Sequence, residues 1–369
     1  MDLTGQWIGF DQGDVKGTIV IDIDDFGQDR RGHIFFYPDA TDIPGIYDTI
    51  NFQKGKLPES LTFTPHLFEV GGGRPLSMEQ AAELYPTASF PRQITVVLHR
   101  SNQGELHLKW RSDVGTSGKA KLLNRNFNAA SKTTLKAKKM SWRAFKTFID
   151  EGNSVGCVYR GQNDAWPLRT TFHRSKRSDL IPFVTGDVPK LYNALSGRLK
   201  HVYDLKNPTI LASFWALAQH HGYPTPLLDW SRSPYVAAYF AFKNVTASSE
   251  GAVRIFVLQE HPFAHNGQIF FTTYSQPVVK LIEPMSLENE RLIPQQSVLM
   301  ISNVDDIEWL IETLEAEKNV QILQAIDIPK HEAAEVMKDL RLMGIGAGSL
   351  FPGIDGVCEG LREQLFPVN

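Results

Sequence analysis

The stretch from Leu217 to Phe242, LAQHHGYPTPLLDWSRSPYVAAYFAF, limits the fold more than any other. Pro224 and Pro226 stop a helix, because proline lacks the amide proton and its ring collides with the preceding turn. The segment therefore reads as helix, polar turn, helix. Leu217 to His221 closes the first helix and Gly222 ends it. Tyr223 to Asp229 is expected to be a rigid loop that presents polar groups. Ser231 or Ser233 caps the second helix, with Pro234 at its first position. Val236 to Phe242 is apolar all round, which predicts a buried helix. A polar loop clamped between buried helices fits the wall of a site, with His220, His221, Thr225 and Asp229 facing it. It also fits a structural corner whose Asp and His satisfy backbone groups.

With 369 residues the chain has room for about two domains. A net charge of −3 gives no global argument for nucleic acid or membrane. Two cysteines, Cys157 and Cys358, cannot build a disulfide framework and lack metal-type spacing. No metal site is expected. The opening MDLTGQWIGFD is neither a charged nor an apolar leader, and no apolar run reaches ~18 residues. A soluble cytoplasmic protein without a membrane partner is the expectation.

Residues 1–124 are expected to be all β. Short runs such as Thr18 to Asp24, Gly32 to Phe36, Ile94 to Leu98 and Glu105 to Trp110 are rich in β formers and split by Gly, Pro, Asp and Asn. Asn102-Gln103-Gly104 marks a hairpin turn. Strands this short and regular predict an antiparallel barrel or sandwich. Leu3-Thr4-Gly5-Gln6-Trp7 resembles the Gly-x-Trp start of small up-and-down barrels such as lipocalins. Residues 125–140 are polar and aperiodic, and read as a linker. From residue 141 onward helices and strands mix, so the whole chain is assigned α+β.

In this second region Tyr159-Arg160-Gly161-Gln162 follows a short apolar strand, with Arg160 placed where the strand opens. An always-charged fork beside a glycine suits an anion, because a ligand can approach the backbone closely. The same arginine also suits a structural ion pair. Further on, Glu288-Asn289-Glu290 and Arg291-Leu292-Ile293-Pro294-Gln295-Gln296 lead into the strand Ser297 to Ser302. Carboxylates and amides at the mouth of a strand can orient a sugar hydroxyl, and they can equally be a solvated loop.

At these residues the chain resembles the FRG-domain family, named for a Phe/Tyr-Arg-Gly motif. Tyr159-Arg160-Gly161 is that motif, and Ala218 to Trp230 resembles the second block. Arg291 to Gln296 resembles a third, and Met343-Gly344-Ile345 with Leu350-Phe351-Pro352 a closing one. The resemblance covers about 141–365, so an FRG domain is expected over 141–369. One departure is Pro226, where the family more usually has Arg, so the loop lacks a cation.

The layout is also similar to ADP-ribosyltransferases. That likeness implies NAD as the substrate and Arg160 as the holder of its phosphates or ribose, flanked by Tyr159, Gly161 and Gln162. It implies Ser231 or Ser233 in support and Tyr235 or Tyr239 stacked on nicotinamide. A group among Glu288 to Gln296 would meet the ribose 2′-hydroxyl. The usual residue there is Glu. Here Gln295 and Gln296 are best placed, with Glu290 upstream, and a glutamine brings no negative charge to a developing cation. An NAD-using toxin or phage-defence effector is expected, with a protein or nucleic acid as acceptor. The N-terminal β region would bind a target or inhibitor protein. The competing reading is a non-catalytic nucleotide- or partner-binding sensor. A metal-dependent hydrolase built on Asp229 and the adjacent His220 and His221 is a third.

Overall fold

The computed structural model describes residues 3–56, 60–102, 104–124, 133–153, 155–246, 249–263 and 273–366. Seventeen strands fall into two sheets among these residues. The first sheet contains β1 (Gly5–Asp11), β2 (Gly17–Phe26), β3 (Asp29–Pro38), β4 (Gly45–Gln53), β5 (Leu61–Phe63), β6 (His66–Glu69), β7 (Arg74–Leu76), β8 (Ile94–Arg100), β9 (Leu106–Ser112) and β10 (Ser117–Asn124). Their order is β5-β8-β9-β10-β1-β2-β3-β4-β6-β7, and every ladder is antiparallel. Among the described residues no ladder joins β5 to β7, so hydrogen bonds do not close a barrel. The predicted turn at Asn102-Gln103-Gly104 connects β8 and β9, with Gln103 itself outside the described residues.

The second sheet contains β11 (Ala137–Lys139), β12 (Cys157–Gln162), β13 (Leu227–Ser231), β14 (Ala252–Gln259), β15 (Val279–Ile282), β16 (Ser297–Ser302) and β17 (Leu323–Pro329). The order is β11-β17-β14-β12-β13-β16-β15. Only β11 runs parallel to its neighbour. Residues 125–132 of the expected linker lie outside the described residues. Its last part is a correction: Ala137–Lys139 is an edge strand, because Ala137, Lys138 and Lys139 pair with Ala325, Ile326 and Asp327.

The helices are α1 (Met78–Leu84), α2 (Trp142–Phe148), α3 (Thr171–Arg174), α4 (Leu180–Pro182), α5 (Val188–Leu195), α6 (Pro208–His220), α7 (Pro234–Phe242), α8 (Ile307–Lys318), α9 (Ala333–Leu342), α10 (Ala347–Leu350) and α11 (Ile354–Leu365). None of the described helices is long and apolar enough to cross a membrane. Both α2 and α7 start on a serine cap, and at α7 this is one of the two serines the sequence offered. Ser141 Oγ accepts from Ala144 N, and Ser233 Oγ accepts from Val236 N. Each satisfies one of the first-turn amides that a helix leaves unpaired.

Alternation along the strands gives both sheets two apolar faces. On the first sheet Trp7, Ile19, Ile21, Leu106 and Leu122 form one buried cluster. The opposite face, with Ile8, Val20, Phe35 and Tyr37, is buried against Val158, Leu228, Trp230, Val298 and Met300 of the second sheet. The far face of that second sheet is covered by α2, α7 and α9 around Trp142, Ala237 and Val336, and by α6 around Phe214 and Trp215. The layers are thus sheet, sheet, helices.

Polar groups sit at the seam between the sheets. Gln6 Nε2 donates to Asn303 O at 2.7 Å and to Asp22 Oδ1 at 3.0 Å, while Gln6 Oε1 accepts from Asp305 N at 3.1 Å. Arg177 pairs with the fully buried Asp24. Such groups keep a net gain only when fully partnered, since an orphaned buried donor or acceptor costs ~1–3 kcal/mol.

Candidate functional site

On the helical side of the second sheet, β12 and β13 part company. Their ladder holds one pair, Tyr159 with Ser231. Beyond it Arg160, Gly161 and Gln162 continue on β12, paired only with β14. Two expectations need correction here. Arg160 lies within a strand rather than at its opening, and Leu227 to Ser231 is a strand rather than loop. Leu227 and Leu228 are the reason for the second. Both are buried on opposite faces of the sheet, a pattern that favours a central strand over a turn.

The gap between the diverging strands is bridged by a side chain. Arg160 Nη1 donates to the Asp229 carbonyl at 2.6 Å. Its Nε is buried without a hydrogen-bond partner. Burial pulls the guanidinium down to a pKa of about 10, opposed by the Asp229 charge, so it stays cationic at neutral pH. Gly161 lets this strand lie against α7. A Cβ there would sit 1.8 Å from Ala237 O, so no larger residue fits without moving the helix.

A cleft of about 590 Å³ opens around this point. Of the residues predicted from sequence, Tyr159, Arg160, Gly161, Gln162, His220, Asp229, Ser231 and Gln295 line it. Gln219 Nε2 holds the Asp229 carboxylate at 2.7 Å. Ser231 Oγ donates to Gln295 O at 2.7 Å, and Gln295 Nε2 donates to Leu350 O at 3.0 Å. Burial, with Arg291 nearby, pushes His220 down to about 4, so its imidazole is neutral at neutral pH.

The other predicted residues stand elsewhere. His221 caps α6, with its ring 4.8 Å from that of His220. Thr225 is fully buried and hydrogen-bonded to Gln219. Ser233 serves as the cap of α7. Tyr235 meets Trp142 edge-on, and the fully buried Tyr239 donates to Glu363 at 2.8 Å, so neither ring reaches the cleft. Gln296 is exposed in a left-handed turn at φ 47°, and its carbonyl accepts from Arg232 N. Glu290 is exposed outside the lining. Glu288 caps backbone amides of Lys200 and His201 at 3.0 Å.

Arg174, Asn289 and Arg291 also line the cleft, and so does Lys243, to which the sequence gave no site role. Lys243 and Arg291 stand over the ring of Phe351, 4.4 and 5.0 Å from its centre. That ring fixes two cations along one wall through its negative face. Nothing in local sequence announces this, because Lys243 after α7, Arg291 before β16 and Phe351 after α10 meet only in the folded chain. Among the described residues four cations line the cleft, and Lys243 is already paired with Glu359 at 2.8 Å, which leaves Arg160, Arg174 and Arg291 against one lining carboxylate, Asp229. A concave surface with that balance concentrates anions. Among the described residues no group of three or more His, Cys, Asp or Glu is placed to hold a metal.

Comparison with curated proteins and with solved structures gave no match for the chain. The segment that builds the cleft's two diverging strands and the helix behind them, residues 156–250, does match the family model of the FRG domain.

Proposed function

We propose that the cleft binds NAD and that the chain transfers ADP-ribose to a protein or nucleic acid, acting as a toxin or phage-defence effector. One observation carries this reading: the excess of cationic over anionic groups around a cleft of dinucleotide size. Arg160, Arg174 and Arg291 would hold the pyrophosphate, for which the arginine fork is well matched. In the transfer step the bond from ribose C1′ to the nicotinamide nitrogen breaks, and nicotinamide leaves with the electron pair. An acceptor oxygen or nitrogen forms the new bond at C1′ and loses its proton. The positive charge that develops on the ribose needs a nearby anion, and Asp229 is the lining residue that can supply it. Gln295 and Ser231 support the wall beside it.

No glutamate stands among the described lining residues, which favours a second reading, a non-catalytic nucleotide sensor. The two are separated by incubating wild-type protein and the Arg160→Ala variant with labelled NAD and cell lysate. Transferase activity predicts nicotinamide release and labelled product from wild type only. A sensor predicts NAD-induced stabilisation with no release. Absence of NAD binding in calorimetry overturns both.

A further inference from the structure

We infer that the first sheet carries a binding site of its own, separate from the cationic cleft, for a small apolar molecule that bears no negative charge. The sheet encloses a cavity of about 380 Å³. Its wall is drawn from both ends of the strand order: Ile34, Phe36 and Ile46 come from β3 and β4, while Ile94, Val96 and Trp110 come from β8 and β9. The sheet must therefore curl enough for its two ends to face each other. The segments 43–44 and 87–91 lie over the space and contribute Pro44, Phe90 and Pro91.

A void of this size is not ordinary packing. Protein interiors close to crystal density and leave few gaps larger than a water molecule. Here Ile34, Phe36, Ile46, Ile94 and Trp110 all line the cavity and are all only half-buried. Ile34, Phe36, Ile94 and Trp110 pack on the buried cluster with one part of their surface and turn the rest to the space. The volume falls within the range typical of small-molecule sites, ~300–1,000 Å³.

Charge narrows the chemistry. Among the described residues no Lys, Arg or His lines this cavity, and its one carboxylate is Asp48. Two of the lining polar groups are already engaged. Trp110 Nε1 donates to Asp11 Oδ1 at 3.1 Å, and Ser112 Oγ meets Thr116 Oγ1 at 2.7 Å. An anionic amphiphile such as a fatty acid finds no cation here and meets a carboxylate. Burying an unpaired charge is unfavourable, so neutral ligands are selected over anionic ones of equal apolar area.

The test is a fluorescence titration of the full chain with N-phenyl-1-naphthylamine, a neutral apolar probe, in parallel with the anionic cis-parinaric acid. The expected result is a saturable one-to-one rise with the neutral probe and at least tenfold weaker binding of the anion. Ile46→Trp, which fills the space, should weaken the neutral probe at least tenfold. Asp48→Lys should bring the anion to within about threefold of the neutral probe. NAD binding should be unchanged in both variants. A wild-type titration that stays flat, or equal binding of both probes, overturns the proposal without reference to any variant. So does a folded Ile46→Trp protein, judged by circular dichroism, that binds the neutral probe as wild type does.

Discussion

Arg160 reaches from β12 to the backbone of Asp229 on β13, Nη1 to O 2.6 Å, just where the ladder between the two strands has ended. The guanidinium supplies a hydrogen bond that the diverging backbones cannot. Arg160→Lys keeps the charge but loses the planar fork. We expect NAD affinity to fall about 10- to 100-fold in Arg160→Ala, matching the ~1.5–3 kcal/mol of a hydrogen bond to a charged group, and by a smaller factor in Arg160→Lys. Calorimetric titration measures it. Equal affinity in all three proteins would remove Arg160 from the site.

Asp229→Asn separates chemistry from binding. The amide is nearly isosteric and its oxygen can still accept from Gln219. The negative charge that would steady the ribose cation is gone, which should lower turnover by about 10²-fold or more. Affinity for NAD should hold or rise slightly, since a like charge is removed from beside the phosphates. Turnover as in wild type would show that the charge comes from another residue.

Gly161→Ala tests how tightly β12 lies on α7. The new methyl carbon would meet Ala237 O at 1.8 Å and Ala241 N at 2.8 Å, both backbone atoms that cannot rotate away. Overpacking of this kind typically costs about 1–3 kcal/mol, and contact with fixed backbone puts the change at the upper end. A urea titration should show the midpoint falling with little change of slope.

Asp305 should make stability depend on pH. It is fully buried at the seam, and Arg169 holds it at 2.7 and 2.8 Å through Nε and Nη2. Burial nevertheless raises its carboxyl to about 7, above the ordinary 3.8. Between those values the folded chain keeps a proton that the unfolded chain has lost. The contribution is therefore complete below about pH 3.8 and is lost as pH rises through 7. At ~1.4 kcal/mol per unit the full span is on the order of 4 kcal/mol. His173 acts in the opposite sense: burial lowers it to about 3, so its share is present above pH 6.5 and lost as pH falls. The clean readout is the difference between wild type and Asp305→Asn, measured by denaturant unfolding at pH 4.5, 6 and 7.5. Wild type should lose ground to the variant as pH rises, and a difference that does not change with pH refutes the assignment.

Much of the fold was legible because its signals are local. Ser233 caps α7 as the sequence reads, with Pro234 at its first position. Gly222 takes the left-handed turn at φ 85° that ends α6. Residues 223–229 misled, because two prolines and an aspartate look like loop while Leu227 to Ser231 is held as a strand by β16. The site divides in the same way. Arg160 and Asp229 were readable as polar groups set in apolar surroundings. The Phe351 wall was not, since its cations lie 108 and 60 residues from the ring in sequence. Tyr235 and Tyr239 were placed by likeness to other transferases, and helix packing turns both elsewhere.

The seam between the sheets has a consequence for how the chain can be handled. Ile8, Val20, Phe35 and Tyr37 are dry only because the second sheet covers them, and Gln6 is tethered to Asn303 and Asp305 at the other end of the sequence. Fission of the gene within codons 125–132 should thus yield two sticky polypeptides rather than two portable modules, and co-expression should rescue the solubility of both.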